Sequence, residues 1–372
     1  MNKQFLFFAF LIAAFFAASC GSKEQNYNSS KGFYEIKGIA SMTPDSQKVY
    51  LSNTLTSKII DSAYIIKEQF EFKGNVAYPD LYEIYVPHND LSVVFVLENS
   101  DIQVELSKRA NTLKGSKLER ERRKWFLGNE SWKKNDSEID KLDKRLQFSP
   151  SMTSEKNEYS RKIDSLKKAN EAIAKDLMIR NPKTLNALFV LYSFAADYGI
   201  DESKKYYELL DSSLKNHPRA LNLKRKLYRK PIKIGESAPN ITSKTTKGDN
   251  FDSNTLQGKY SLLVFWASWC EPCRKEHPAI NLFYEKFKGK LNIVGISIDG
   301  DEAKWHDAVK KDMLEWTQIS DLKGNSSDAA IDYEIKAVPT NFLLDEKGNI
   351  INKNIKIEDL EKIIKPLVEN FK

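Results

Sequence analysis

The sequence predicts three folded regions: an N-terminal antiparallel β-sandwich-like domain, a helical middle region and a C-terminal α/β domain. Three observations predict them. Short β-branched and aromatic runs recur between turn signals from 32 to 108. The hydrophobic period then lengthens to that of amphipathic helices over 109–230. Beyond 231, apolar strands alternate with amphipathic helices. A length of 372 residues has room for two or three domains at roughly 150 residues each.

Composition narrows the class. Hydrophobic residues make up 41%, with 20 Phe, 16 Tyr and 6 Trp, which is enough to build cores and excludes wholesale disorder. Charged residues at 29% exclude a polytopic membrane protein. The net charge of +7 is spread among many acids. Nucleic-acid binding wants a concentrated basic face, so no nucleic-acid partner is expected. Three cysteines are too few for a disulfide-stapled scaffold or a four-cysteine zinc site, and no metal or other cofactor is expected.

Residues 1–19 read as a signal peptide. Met1-Asn2-Lys3-Gln4 is a short basic start, and Phe5 to Ala18 is an apolar run too short to span a bilayer comfortably. Ala17-Ala18-Ser19 places small residues directly before Cys20. This resembles the lipobox of bacterial lipoproteins, with Ala17 where Leu is favoured. That resemblance implies lipidation of Cys20, which would become the mature N-terminus. Ordinary cleavage nearby, or an uncleaved anchor, is the alternative. Residues 20–31 are polar and read as a lipid-anchored flexible tether. The folded part is then expected in the cell envelope, facing the periplasm, with inner or outer membrane left open.

In the β-rich region, strands are expected at Phe33–Ile36, Lys48–Leu51, Ile59–Ile60, Tyr64–Ile66, Phe70–Phe72, Tyr82–Val86 and Val93–Leu97. Turn signals at Thr43-Pro44-Asp45, Lys73-Gly74-Asn75, Tyr78-Pro79-Asp80 and His88-Asn89-Asp90 separate them. Gly32-Phe33-Tyr34-Glu35-Ile36-Lys37-Gly38 and this spacing resemble a β-rich module of unassigned function that precedes a thioredoxin domain in some secreted bacterial lipoproteins.

In the helical region Ile139, Leu142 and Leu146 recur at helical spacing, as do Ile163, Leu166, Ile173 and Leu177, with Asn170 in the seam. Pro150 and Pro182 are expected to break the helices. Either a spacer packed on its own neighbours or an arm for dimerisation or partner docking fits this pattern. The charged run from Lys117 to Lys124 reads as a solvated helix face.

In the third region, Tyr260–Ala267 is a continuous apolar run, expected to be a strand buried on both faces. A helix over Pro272–Phe287, a strand over Leu291–Ile298 and a helix over Asp301–Met313 follow. Asn341–Leu344 and Ile350–Ile351 flank Asp345-Glu346-Lys347-Gly348-Asn349, a hairpin signature, and a helix over Ile357–Phe371 closes the chain. The order βαβ, then α, then ββα is that of a thioredoxin fold.

The chemistry lies in Trp269-Cys270-Glu271-Pro272-Cys273. Cys270 falls at a helix N-terminus, where unpaired N–H groups and the helix dipole favour a thiolate. Cys273 lies one turn on, within reach of a tight disulfide ring, and Pro272 in the first turn loses no hydrogen bond. The pair can attack a substrate disulfide and resolve the mixed disulfide. A c-type haem site would need His where Arg274 stands. A zinc site would need ligands beyond the pair and His277. A peroxiredoxin would want Thr where Ala267 stands.

Trp269-Cys270-Glu271-Pro272-Cys273-Arg274-Lys275-Glu276 and Ala337-Val338-Pro339-Thr340 resemble the TlpA/ResA branch of membrane-tethered thioredoxin-like proteins, over residues 232–372. The resemblance implies that Cys270 attacks and Cys273 resolves, the two forming a redox-active disulfide. It implies that Pro339 is a cis-proline whose loop, with Val338, holds the substrate backbone beside Trp269, Glu271 and Pro272. It also implies that Glu276 assists proton transfer. Thioredoxin instead uses a buried Asp six residues before its first cysteine, and Val264 stands there. Helical spacing independently brings Glu276 towards Cys273. An exposed carboxylate paired with a basic neighbour is its alternative.

Glu271 beside the nucleophile raises its pKa, disfavouring the reduced form. That predicts a reductant, with a potential of roughly −250 mV or lower. The expected function is an extracytoplasmic thiol-disulfide oxidoreductase reducing disulfide-containing client proteins. The resemblance adds cytochrome c maturation as a client process and a membrane electron donor of the DsbD/CcdA type. The alternative is a partner- or ligand-binding lipoprotein with a redox-regulated thioredoxin-like domain.

Overall fold

A computed structural model describes residues 31–369 except 88, 90, 109–110 and 149–153. The signal peptide, Cys20, the tether apart from Lys31, His88, Asp90 and Pro150 lie outside the described residues. No described helix is long and apolar enough to cross a membrane. The chain divides into two compact units. The first runs to residue 223 without the segment 55–58, and the second takes that segment and the chain from 224 onward.

The first unit begins with β1 (Tyr34–Ala40), β2 (Lys48–Asn53), β3 (Ile59–Tyr64), β4 (Gln69–Gly74), β5 (Asp80–Val86), β6 (Leu91–Leu97), β7 (Asp101–Leu106) and β8 (Thr112–Lys114). They form two four-stranded sheets, ordered β4-β1-β7-β8 and β3-β2-β5-β6. In β1, Tyr34, Ile36 and Ala40 point inward while Lys37 and Ile39 point out, the period of two that a half-buried strand requires. Gly38 of β1 lies opposite Phe70 of β4. A Cβ on Gly38 would fall 2.0 Å from the Phe70 ring, so only glycine lets that ring lie flat across the strand.

Two differences from the sequence reading stand out. Strands β7 and β8 were not expected, although Ile102, Val104 and Leu106 of β7 alternate with polar neighbours as a half-buried strand should. In addition, β1 and β7 pair in parallel, so the sandwich is not purely antiparallel. Between them the chain traverses the other sheet, and such a long crossover allows the parallel sense that a tight hairpin forbids.

Helices α1 (Lys117–Leu127), α2 (Glu130–Phe148), α3 (Ser154–Arg180), α4 (Leu185–Tyr198), α5 (Ile200–Leu209) and α6 (Pro218–Tyr228) follow. Ile139, Leu142 and Ile163 form the seam between α2 and α3, and Asn135 Nδ2 donates to Asn170 Oδ1 there at 2.9 Å. The run from Lys117 to Lys124 is not uniformly solvated, because Glu119 and Arg122 are buried. Glu119 accepts the Val96 N–H at 3.0 Å and Arg122 Nε at 2.8 Å, which fastens α1 to β6. Burial alone would raise the Glu119 carboxyl, but the arginines outweigh it and the net shift is downward. Asp80 at the start of β5 is fully buried and takes Arg219 Nε from α6.

The second unit contains β9 (Thr242–Thr245), β10 (Asn250–Asp252), β11 (Ser261–Trp266), α7 (Glu271–Phe287), β12 (Asn292–Ser297), α8 (Glu302–Lys311), β13 (Thr317–Ser320), α9 (Asp328–Asp332), β14 (Thr340–Leu344), β15 (Ile350–Lys353) and α10 (Ile357–Glu369). Its sheet has the order β10-β9-β13-β12-β11-β14-β15. Every residue of β11 is buried, as its apolar run from Leu262 to Trp266 requires. Burying a side chain such as Phe265 contributes about 1.5–3 kcal/mol. The expected hairpin closes because Asp345 Oδ1 accepts the N–H groups of Lys347 and Asn349, at 2.9 and 2.7 Å. Strand β13 escaped the sequence reading because three of its four residues are polar. Gln318 and Ser320 are buried through hydrogen bonds to Trp266 and Ser297. The β9–β10 hairpin and α9 are too short and polar to give a period.

Candidate active site

Strand β11 delivers the chain to the N-terminus of α7 at the middle of the sheet. Cys270 is the N-cap of α7, and the Cys273 N–H donates to its Sγ at 3.2 Å. The two cysteines are joined as a disulfide, with Cys270 4% and Cys273 1% exposed. Both cysteines are thus buried at the start of the helix. Pro272 sits in the first turn of α7. Pro278, further along, lacks the N–H that would bond the Arg274 carbonyl.

The Val338–Pro339 peptide bond is cis, and its loop faces the disulfide. Cys270 Sγ lies 3.6 Å from the Val338 carbonyl oxygen. Trp269 beside them is 63% exposed, a free aromatic face at the mouth of the site. Glu271 and Pro272 are exposed too, while Val338 and Pro339 are partly buried.

Glu271 does not stand alone. Lys275 Nζ lies 2.8 Å from its carboxylate one turn along α7. Both side chains are well exposed, so the pair is weak, but it reduces the negative field that the sequence reading placed on the nucleophile. Glu276 is half-buried, and no described residue pairs with its carboxylate. Burial therefore pushes its pKa up. Val264, where thioredoxin has its acid, is 4% exposed in the core.

The sequence reading missed a polar network around the turn. The Ser268 N–H and hydroxyl both donate to Asp299, at 2.8 and 2.6 Å, and Ser297 donates to the same carboxylate at 2.6 Å. Arg274 Nη1 donates to the Ser268 carbonyl at 3.2 Å, and its Nε and Nη2 hold Asp312 at the end of α8. His277 Nδ1 lies 2.7 Å from Asp312 Oδ2. Burial lowers the His277 pKa despite that carboxylate, so the imidazole is neutral and Nδ1–H donates. Burial pulls the Asp312 carboxyl up, but Arg274 and His277 outweigh it and the net shift is down. One signal was available in sequence: His277 falls on the apolar stripe of α7 that runs through Cys273, Ile280 and Phe287.

Two family models match the chain: the AhpC/TSA family over residues 234–353, and a domain of unknown function (DUF4369) over residues 34–121. The thiol-disulfide oxidoreductase ResA of Bacillus cereus is 32% identical over 133 residues, covering 36% of this chain and 75% of the relative. The thioredoxin-like protein YneN of Bacillus subtilis is 34% identical over 122 residues, covering 32% and 69%. A solved thiol-disulfide oxidoreductase from Bacteroides fragilis is 35% identical, covering 36% of this chain and 99% of that one, with a TM-score of 0.34.

Proposed function

The chain belongs, through its C-terminal domain, to the thioredoxin-like thiol-disulfide oxidoreductases of the ResA type, and from that premise we propose that it reduces disulfides in client proteins outside the cytoplasm. The observation that carries this reading is the Cys270–Cys273 disulfide at the start of α7, 3.6 Å from the Val338 carbonyl beside cis-Pro339.

In the reduced protein the Cys270 thiolate, supported by the Cys273 N–H and the α7 dipole, attacks one sulfur of a client disulfide. The client's S–S bond breaks, a Cys270–client bond forms, and the other client sulfur leaves as a thiolate that takes up a proton. Glu276 accepts the proton of Cys273. The Cys273 thiolate then attacks Cys270 Sγ, the internal disulfide re-forms, and the second client sulfur leaves. The client gains two electrons and the enzyme loses two. Val338 and Pro339 hold the client backbone, while Trp269, Glu271 and Pro272 give the rim it meets.

Regeneration needs a dithiol donor, for which a membrane protein of the DsbD/CcdA type fits by chemistry. Cys20 would anchor the chain by lipid after removal of residues 1–19, with 20–31 as tether, and apocytochrome c is a client class consistent with this placement. The region boundaries at 32–108, 109–230 and 231–372 belong to the same reading. Trapping with Cys273→Ser tests the function. A mixed disulfide between Cys270 and envelope proteins is expected, and a variant that captures none contradicts it.

One observation favours a second role for the N-terminal unit. A cleft of about 490 Å³ there is lined by Tyr34, Asp61, Asn75, Tyr78 and Tyr82, within the size range of ligand sites. Full-length protein carrying Asp61→Asn and Tyr78→Ala would lose clients if this cleft recruits them. Unchanged client turnover removes that role.

A further inference from the structure

Arg274, Asp312 and His277 form a charged cluster against the nucleophile turn that the exchange chemistry does not use. Arg274 spans it. Its guanidinium takes both oxygens of Asp312 and the Ser268 carbonyl, and its backbone N–H bonds the Cys270 carbonyl at 3.1 Å. Asp299 grips Ser268 through the remaining N–H and hydroxyl. Ser268, two residues before Cys270, is therefore fixed through all three of its polar groups.

Packing alone does not require this arrangement. His277 is 1% exposed, and its Nε2 is buried with no hydrogen-bond partner among the described residues. An apolar residue there would avoid that cost. What the imidazole does supply is a neutral Nδ1–H that helps hold Asp312 on the guanidinium. Asn281 Nδ2 adds a further hold on the Asp312 carbonyl at 2.9 Å.

The consequence is electrostatic. The oxidised pair is uncharged, whereas the reduced pair carries a thiolate at Cys270. A fixed positive charge at the turn favours the reduced form and makes the couple more oxidising. The Arg274 guanidinium is such a charge, and Asp312 cancels it. The other charged groups near the turn are Asp299, Glu276 and the exposed Glu271–Lys275 pair.

We propose that the Arg274–Asp312 pair sets the redox potential of the Cys270–Cys273 couple, Asp312 keeping it reducing by neutralising a guanidinium that would otherwise stabilise the Cys270 thiolate. Both are positioning residues, acting on the sulfur through charge and through the Ser268 turn. The inference rests on the disulfide-exchange reading above.

The test is a redox titration of the full-length protein with a parallel measurement of the Cys270 thiol pKa. Asp312→Asn keeps the shape and removes the charge. It is expected to shift the thiol–disulfide equilibrium three- to tenfold towards the dithiol, about 15–30 mV less negative, and to lower the thiol pKa. Arg274→Gln is expected to shift both quantities the other way by a similar factor, and the double variant to return close to wild type. A purely structural role would not give opposite signs. Both single variants moving in the same direction, or neither moving beyond twofold, overturns the proposal. Should Asp312→Asn fail to fold, Arg274→Gln decides by its sign alone, because its side chain is 28% exposed and tolerates the change. A wild-type pair that does not titrate contradicts the exchange reading instead.

Discussion

Replacing Glu276 with Gln should slow the chemistry and stabilise the oxidised protein at the same time. The reason lies in burial. Cys273 is 1% exposed, so solvent does not reach its thiol freely, and Glu276 lies one turn along the same helix. A well-placed general base contributes about 10²–10⁴-fold. Glu276 is half-exposed and water can replace it in part, so the loss in mixed-disulfide resolution at neutral pH should be on the order of 10–100-fold. Wild-type resolution should fall as acid protonates the carboxylate, at a pH above the ordinary glutamate range because burial raises this pKa. The variant should be flat there.

Stability runs the other way. A carboxyl whose folded pKa is raised binds more protons folded than unfolded. Stability therefore falls as pH rises from the unfolded to the folded pKa, and the penalty persists at neutral pH. Glutamine removes it, so the variant should melt higher than wild type at neutral pH and equally in acid. Rapid-quench alkylation of the mixed disulfide and thermal melts read the two effects. Resolution within twofold of wild type across the pH range would refute the proton-acceptor role.

Three further outcomes follow from the same structure. Arg219→Met leaves the fully buried Asp80 carboxylate without its cation and should cost about 3–5 kcal/mol in urea unfolding; a cost below about 1 kcal/mol would contradict the buried pair's role. Gly38→Ala drives a methyl into the Phe70 ring and should cost about 1–3 kcal/mol by the same assay, with Phe70→Ala in the same chain relieving the clash. Trp269→Ala, at an exposed site, should raise KM for a protein client about tenfold while leaving the unfolding midpoint unchanged; an unaltered KM removes Trp269 from the docking surface.

The C-terminal domain was the most legible part of the sequence, because β11 is apolar from Leu262 to Trp266 and α10 repeats Leu360, Ile364 and Val368 at helical spacing. The cysteine pair announced itself by its place between β11 and α7. What stayed hidden was polar and long-range. Asp312 is 39 positions after Cys273, capping the C-terminal end of α8, and nothing local marks it as a partner of Arg274. Gln318 looks like a surface residue until Trp266 Nε1 is found donating to it at 3.0 Å. Glu119 and Arg122 sit in a run that reads as solvated; their own ion pair is local to α1, and the bonds from the Val96 N–H to Glu119 and from Arg122 to the Val94 carbonyl on β6 are what hold them buried. Hydrophobic periodicity finds faces, and it does not find buried charges that pair across elements.

The claim on which the account depends is that Cys270 and Cys273 interconvert between dithiol and disulfide. Equilibrating the purified full-length protein in graded dithiol–disulfide buffers and counting free thiols by alkylation mass shift tests it directly. The account predicts one two-electron transition in which both cysteines gain the label together, at roughly −250 mV or lower. A pair that stays locked in every buffer, or a midpoint at about −150 mV or above, would contradict it.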